Sequence, residues 1–243
     1  MKTALLLCAG AALSATVSAQ STVVYTQNFD GVLGPEWSGV RTVESVQGFE
    51  GKGSAGNYFS GNLLRNASVG LASRLTLTNL PPHRSVNVGF LFAAIDSWDG
   101  TGHTDGSQTY LEDYFTVTLD GVTIFNQSFA NMAGVGTYNP PVGGLIAGAL
   151  NPGTGGGRDY GWSGWVDSAY NLHLEPTLKN IPHTASTMVL EFKATGRGWQ
   201  GLADESWGID GVVIETGGGV VPAPGAAALG AIALGAAASR RRR

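Results

Sequence analysis

Apolar and polar residues alternate with a period of two in three stretches of this chain, and this pattern constrains the fold more than any other sequence feature. The apolar positions are Val86, Val88, Phe90 and Phe92 in the first stretch, Phe115, Val117 and Leu119 in the second, and Met188, Leu190, Phe192 and Ala194 in the third. Successive side chains of a β-strand point to opposite faces, so each stretch predicts a strand with one buried and one exposed face.

The turn residues support the same interpretation. Asp120-Gly121 separates the stretches Phe115–Leu119 and Val122–Phe125, and an Asp-Gly linker of this kind is a strong signal for a tight β-hairpin. No amphipathic run is long enough for a substantial helix, and further strands are predicted near residues 22–29, 40–46, 71–78, 169–174 and 206–215. We therefore predict an all-β domain over residues 20–216, a jelly-roll-like sandwich of two antiparallel sheets.

The first 19 residues have the composition of a processing segment. Lys2 is followed by the apolar run Ala4–Ala15 and by Val17-Ser18-Ala19. This order of positive, apolar and small residues predicts a secretory signal peptide at residues 1–19, cut after Ala19. The single cysteine, Cys8, lies in this segment, so we expect neither disulfides nor thiolate metal ligands in the domain.

The other end also consists of distinct parts. A glycine linker at residues 217–220 leads to a tail at residues 221–243, which contains Val221-Pro222-Ala223-Pro224-Gly225, an apolar run at 226–238 and four arginines at 240–243. The apolar run is short for a permanent membrane span, and the arginines would hold its end on the cytoplasmic side.

This tail resembles the PEP-CTERM sorting signal in its Val-Pro-Ala-Pro-Gly variant. The resemblance implies that the export machinery and then an exosortase-type sorting enzyme are partners, with processing around Pro222, Pro224 and Gly225. It also implies a transient membrane anchor through the C-terminal helix and a final location in the cell envelope, outer surface or extracellular matrix of a Gram-negative-type bacterium. A plain C-terminal membrane anchor is the alternative.

The charge of the domain is strongly negative once the two ends are set aside. Lys2 and the four arginines at 240–243 are five of the 14 basic residues, whereas all 18 carboxylates lie between them. A surface this acidic repels the phosphates of nucleic acids, so we expect no nucleic-acid partner. It suits hard cations such as Ca²⁺, whose ligands are oxygens; simple solubility is the alternative explanation.

Acidic residues concentrate in the segment Asp204–Asp210, which contains three carboxylates. Like charges at short range repel unless water or a cation separates them. In a strand, Glu205 would share a face with Trp207 and Ile209, and Asp204 would lie on the opposite face.

Two segments carry a family resemblance. Ser97-Trp98-Asp99-Gly100 and Asp204-Glu205-Ser206-Trp207-Gly208-Ile209-Asp210 resemble segments of a set of uncharacterised jelly-roll domains in envelope-targeted bacterial proteins. The resemblance covers about residues 25–215 and implies a fold but no activity. Members of the set usually have Asn after the final Asp, where this chain has Gly211.

A looser resemblance, to MAM-type and carbohydrate-binding jelly rolls, rests on Phe29-Asp30 and Ile209-Asp210. It implies that the first and last strands lie side by side and that their carboxylates share a structural calcium ion. The ligands implied are Asp30 and Asp210, assisted by Asp204 or Glu205. A second candidate cation site lies in the loop that contains Asp96 and Asp99, and a solvated acidic surface is the alternative at both places.

Aromatic side chains in predicted loops are candidates for stacking on a sugar, although packing in the core is the alternative for each of them. They are Trp98, Tyr110, Tyr138, Trp162, Trp165 and Trp199. Trp37 and Trp207 are assigned to the core.

The sequence contains no recognised catalytic motif. Ser163 lacks the glycine two residues later that a nucleophile elbow requires, and the four histidines form no His-Glu-x-x-His. We therefore favour a non-catalytic binding or structural module with extracellular glycan as partner and calcium as structural cofactor. The alternatives are a polysaccharide-acting hydrolase or lyase, with facing acids from the 96–112 loop and the Asp204/Glu205 turn, and a structural matrix or biofilm protein.

Overall fold

The computed structural model describes residues 21–102, 104–105, 107–109, 111–131, 136–148, 159–162 and 165–218. The predicted signal peptide and sorting tail lie outside these residues, and so do the residues named for their processing, Ala19, Pro222, Pro224 and Gly225.

Strands make up most of the regular structure. In chain order they are β1 (Thr22–Gln27), β2 (Trp37–Gly39), β3 (Thr42–Ser45), β4 (Gly53–Ser54), β5 (Asn57–Tyr58), β6 (Asn62–Asn66), β7 (Ser73–Leu77), β8 (Ser85–Asp96), β9 (Thr104–Asp105), β10 (Gln108–Thr109), β11 (Asp113–Leu119), β12 (Val122–Ser128), β13 (Leu145–Ala147), β14 (Ser168–Asn171), β15 (Ile181–Pro182), β16 (Met188–Gly196) and β17 (Glu205–Gly217).

The strands form two main antiparallel sheets. The larger sheet has eight strands in the order β13-β14-β8-β17-β6-β3, with β1 also paired to β17 and β15 also paired to β8. The smaller sheet has five strands in the order β12-β11-β16-β7-β2. The ribbons β4-β5 and β9-β10 are separate. The predicted all-β, sandwich-like arrangement of two antiparallel sheets is confirmed.

Side chains from the two sheets meet in an aromatic-rich core. Phe90 and Phe92 of β8 contact Phe192 and Phe115 of the smaller sheet, with ring centroids 5.4 Å and 4.2 Å apart. Trp207 of β17 lies 5.1 Å from the ring of Phe115. These are positions that the alternating pattern predicted to be buried, because inner faces of packed sheets interdigitate.

The outer face of the larger sheet is also covered. Leu91 and Ile95 of β8 pack in a second apolar cluster with Phe49 and Phe59, which precede β6 in the chain. Most of β8 is therefore buried on both faces, whereas the sequence predicted one exposed face. Alternation cannot show that another part of the chain folds over the polar side of a strand.

The first and last strands are neighbours, as the resemblance to MAM-type domains implied. β1 pairs antiparallel with residues 212–216 of β17. The register of β17 shifts between Asp210 and Val213, where Gly211 has φ of +56°. Glycine tolerates this left-handed conformation freely and asparagine tolerates it better than most residues. Gly211 therefore suits the left-handed conformation at this register shift.

The hairpin between β11 and β12 has the predicted turn. Asp120 and Gly121 both have positive φ, +51° and +81°, as a type I′ turn requires. The helical segments in the described residues are 3₁₀ turns at Gln47–Phe49, Leu172–Leu174 and Pro176–Leu178. Within that same part of the chain, no helix has the length and apolar character needed to cross a membrane.

Candidate metal centre

Three acidic residues, Asp99, Asp113 and Glu205, meet at one end of the sandwich, which we call the acid pole. Asp113 is the first residue of β11 and Glu205 is the first residue of β17, whereas Asp99 lies in the loop after β8. Asp113 is in phase with Phe115, and Glu205 is in phase with Trp207. The period of two therefore turns both carboxylates towards the space between the sheets.

Backbone hydrogen bonds hold the acid pole together. One ligand oxygen from each of Asp99, Asp113 and Glu205 lies within 4.8 Å of the others. The N–H of Asp99 donates to Oδ2 of Asp113 over 2.7 Å, and the N–H of Asp113 donates to the Asp99 carbonyl over 2.8 Å. The N–H of Gln200 donates to Oε2 of Glu205 over 2.7 Å. Three separate chain segments thus converge on one small volume.

Two carboxylate oxygens at the acid pole lack a donor. Oδ1 of Asp113 and Oε1 of Glu205 are buried and receive no hydrogen bond from the described part of the chain. Both residues are 0% exposed, and Asp99 is 5% exposed. A buried ionised oxygen without a partner is strongly unfavourable. These two oxygens therefore require a shared proton or a bound cation.

The pKa values of Asp113 and Glu205 agree with the need for a shared proton or a cation. Burial raises the pKa of Asp113 to about 9, and the charge of Glu205 adds to the rise. Burial also raises the pKa of Glu205 to about 7, against the opposing effect of the Gln200 N–H. The two carboxyls titrate as a coupled pair. Near neutral pH the ion-free pair therefore keeps a proton.

Two tryptophans and a glycine close the acid pole. Nε1 of Trp98 donates to the Ser206 carbonyl over 2.7 Å, and the rings of Trp98 and Trp199 are 5.0 Å apart. A Cβ added to Gly198 would lie 3.0 Å from Oδ1 of Asp113. Burial at this level leaves no face of the carboxyls open to a sugar ring.

The donor set favours a hard cation. All three side chains offer carboxylate oxygens, without nitrogen or sulfur, and such ligands suit Ca²⁺ or Mg²⁺ rather than a transition metal. An ion at this place would connect the β8 loop and β17 of the larger sheet to β11 of the smaller sheet.

The predicted ligands Asp30 and Asp210 lie near each other at a different place. The consecutive backbone N–H groups of turn 60–62 donate to Asp210, Glu50 and Asp30 in that order, over 3.1, 3.0 and 2.8 Å. Burial raises the pKa of Asp210 to about 7, and the charge of Asp30 contributes to the rise. The structure thus brings the two residues together, but backbone donors already bind their carboxylates. A calcium ion shared by them stays a prediction.

The sequence placed Asp99 in one candidate site and Glu205 in another, and the structure joins these two. The other predicted ligands of those two sites, Asp96 and Asp204, contact different residues. Oδ2 of Asp96 lies 3.8 Å from Nη2 of Arg65. Oδ1 of Asp204 accepts from the Ser97 hydroxyl over 2.8 Å.

Three of the candidate sugar-binding aromatics are buried in the core: Trp98, Tyr138 and Trp199. Their rings offer no face to a sugar, which agrees with the packing alternative given for each of them. The loops that carry them fold inward over the ends of the sheets, and the rings fill the space there.

The other candidate aromatics have different surroundings. Trp165 is 55% exposed. Trp162 is half-buried, with the Arg65 guanidinium 5.7 Å from its ring and Phe49 5.6 Å away. Tyr110 lies outside the described residues. Trp165, supported by Trp162 nearby in sequence, is therefore the aromatic best placed to meet a ligand.

Sequence reasoning missed Asp113 as a candidate ligand. Its signal was present, because Asp113 is in phase with Phe115, Val117 and Leu119, the apolar positions of β11. A carboxylate on the apolar side of a predicted strand must be buried or lie at the end of the sheet.

No protein-family model and no curated protein matches the chain. Among solved structures, the catalytic domain of Agl-KA has a TM-score of 0.37 and 13% identity over 90% of this chain and 32% of that chain. The catalytic domain of a GH87 alpha-1,3-glucanase in complex with nigerose has a TM-score of 0.32 and 15% identity over 84% of this chain and 29% of that chain. The structure of infectious bursal disease virus Gt strain has a TM-score of 0.31 and 17% identity over 88% of this chain and 38% of that chain.

The chain spans about a third of the length of these structures. Similarities at this level carry no conclusion about the function of the chain.

Proposed function

We propose that this chain is a non-catalytic binding or structural module of jelly-roll type, stabilised by a calcium ion at the acid pole. One observation carries the proposal. Oδ1 of Asp113 and Oε1 of Glu205 are buried, close together and without a donor in the described part of the chain. A divalent cation would neutralise the negative charge of these two buried carboxylates.

The expected role of the ion is structural. The acid pole is closed by packed side chains, so a cation there contacts the protein and not an external substrate. It would join both sheets at one end of the sandwich. An ion that binds only the folded state stabilises it by about 2.7 kcal/mol at a hundred times its Kd.

Thermal unfolding with and without calcium tests this role. We expect CaCl₂ added to EDTA-treated protein to raise Tm by about 5–10 °C, which corresponds to that free energy for a domain of this size. Asp113→Asn should abolish the shift. The amide keeps an oxygen for the Asp99 N–H and places an NH₂ group towards Glu205, so the fold is retained.

The matched control is Asp210→Asn, which changes the other predicted calcium site. If Asp210→Asn abolishes the calcium shift and Asp113→Asn does not, the ion lies between Asp30 and Asp210 instead. If calcium and magnesium both leave Tm of the wild type unchanged, the cation proposal is wrong.

We further propose that the module binds extracellular glycan through Trp165, which follows Trp162 closely in the sequence. The exposure of Trp165 supports this assignment, because an exposed indole can stack on the apolar face of a sugar. A glycan array should give hits that Trp165→Ala removes without lowering Tm. An array without hits, together with self-assembly in solution, would favour the structural matrix or biofilm protein.

Export by a signal peptide and exosortase-type sorting to the cell envelope belong to the same proposal. They are supported by the sequence patterns of residues 1–19 and 221–243. Mass spectrometry of the mature protein tests both, since it should find a new N-terminus at Gln20 and the loss of the arginine-rich end.

A polysaccharide-acting enzyme has less support. Oxygens of Asp99 and Glu205 lie within 4.8 Å, and paired carboxyls this close occur in glycoside hydrolysis. Both residues are buried, however, and a substrate must reach its catalytic acids. Turnover of a polysaccharide that Glu205→Gln abolishes would nevertheless establish this function in place of the binding module.

A further inference from the structure

A second cluster of titratable groups lies at the opposite end of the sandwich, which we call the histidine pole: His83, His183 and Asp120. β8 begins just after His83, and β11 ends just before Asp120. The acid pole lies at the other ends of these same two strands. His83 and His183 are 6% and 9% exposed, so their rings are largely removed from water.

The two rings form a continuous hydrogen-bonded chain. Nδ1 of His83 is 2.6 Å from the Pro81 carbonyl, and Nε2 of His83 is 2.6 Å from Nδ1 of His183. Nε2 of His183 is 3.1 Å from Oδ2 of Asp120. All four ring nitrogens therefore have a partner.

The partners fix the number of protons. A carbonyl and a carboxylate only accept, so Nδ1 of His83 and Nε2 of His183 must each carry a hydrogen. Two neutral imidazoles have no further N–H, which would leave two lone pairs facing each other over 2.6 Å. One additional proton between the rings removes this repulsion and makes a hydrogen bond.

We infer that His83 and His183 share one such additional proton, so that the pair carries a single positive charge opposite Asp120 and forms a pH-sensitive link between the two sheets. His83 precedes β8 and His183 follows β15, both of the larger sheet. Asp120 belongs to the β11–β12 turn of the smaller sheet. The shared proton therefore joins the two segments of the larger sheet to each other, and its positive charge faces Asp120 of the smaller sheet.

The charged surroundings agree with one positive charge on the pair. The Asp120 carboxylate contacts the ring of His183, and its side chain is 42% exposed. Its Oδ1 accepts the Val189 N–H over 2.8 Å. The backbone N–H of His183 donates to the Arg84 carbonyl over 3.2 Å, and this contact brings no charge to the rings.

The link has an optimum pH, which follows from counting protons in the folded and unfolded states. Below about pH 6.5, where free imidazole is protonated, the unfolded chain binds two protons and the folded pair binds one. Acid then favours unfolding. Above that range the unfolded pair binds none and the folded pair still binds one, so alkali favours unfolding. The stability contributed by the link is therefore greatest near the ordinary titration range of histidine.

The double variant His83→Gln/His183→Gln tests this proton count in the full-length chain. Two glutamine amides can donate to and accept from each other, so the contact survives without a titratable ring. Urea unfolding from pH 5 to 8.5 should show a bell-shaped difference between wild type and the double variant, with each side changing the unfolding equilibrium by up to tenfold per pH unit. Both proteins share the carboxyls of the acid pole and His173, so those contributions cancel.

A flat or monotonic difference would overturn the inference. Long-range ¹⁵N–¹H NMR of the wild type gives a second test that does not depend on how the variant folds. It should find three protons on the four ring nitrogens of His83 and His183 near pH 6.5. Two protons on those four nitrogens would show a neutral pair and would also overturn it.

Discussion

The acid pole and the histidine pole occupy opposite ends of the same strands and solve the problem of buried titratable groups differently. At the acid pole, Oδ1 of Asp113 and Oε1 of Glu205 have no donor among the described residues. At the histidine pole, His83 and His183 have a partner for every ring nitrogen. The two buried oxygens of the acid pole therefore need a proton or a cation from solution. At the histidine pole, one additional proton between the two rings is sufficient.

Solvent access explains part of the difference. Asp120 is 42% exposed, so water screens its charge, whereas Asp113 and Glu205 are fully buried. Carboxylates that are out of water repel each other strongly, and each can only accept hydrogen bonds when ionised. An imidazole can donate and accept, so two of them that share one additional proton can satisfy each other. Added calcium should therefore affect the acid pole and not the histidine pole.

The largest expected effect is the pH dependence of the ion-free protein. The pKa of Asp113 is raised from 3.8 to about 9 by burial, so the folded state keeps a proton that the unfolded state loses. Stability should fall as pH rises through that interval, by up to about tenfold in the unfolding equilibrium per pH unit. Urea titrations from pH 5 to 8 measure this slope, and saturating calcium should reduce it.

Asp113→Asn isolates the contribution of the acid pole. Asp210, whose pKa is raised to about 7, is present in both proteins, so its contribution cancels in the comparison. Equal slopes for the wild type and Asp113→Asn would show that the acid pole is not protonated as described.

Glu205→Ala should produce the next largest effect, a loss of about 3 kcal/mol in the free energy of unfolding. It removes the acceptor for the Gln200 N–H and leaves a cavity. Chemical denaturation measures the loss. Glu205→Gln keeps the acceptor and the volume, so it should retain most of the stability of the ion-free protein. A loss below about 1 kcal/mol for Glu205→Ala would mean that the acid pole is not rigidly packed.

Asp120→Ala should have a smaller effect, about 1 kcal/mol, because the side chain is partly exposed. The change removes the acceptor for the Val189 N–H and places alanine at a φ of +51°. Asp120→Asn, which tolerates that φ and keeps an oxygen, should lose less than Asp120→Ala. If Asp120→Ala lowered the free energy of unfolding more than Glu205→Ala does, the histidine pole would contribute more to stability than the acid pole, against this prediction.

Much of the acid pole was already present in the local pattern of the sequence. The phase of Asp113 with Phe115 and of Glu205 with Trp207 turns both acids inward in any strand. What the pattern lacked was the position of Asp99, because a loop has no periodicity from which direction can be read. Its approach to Asp113 depends on two hydrogen bonds, from the Asp99 N–H to the Asp113 carboxylate and from the Asp113 N–H to the Asp99 carbonyl.

The sequence by itself determined the strands β8, β11, β12, β16 and β17, the type I′ turn at Asp120-Gly121 and the side of the strand on which Asp113 and Glu205 lie, since these depend on backbone sterics and a period of two. The tertiary structure alone decided that β8 is covered on both faces, that Asp99 meets Glu205 and that His83 meets His183. Those pairs are about a hundred residues apart in the chain. Contacts over such separations follow from the order of strands in the sheets, which no local pattern specifies.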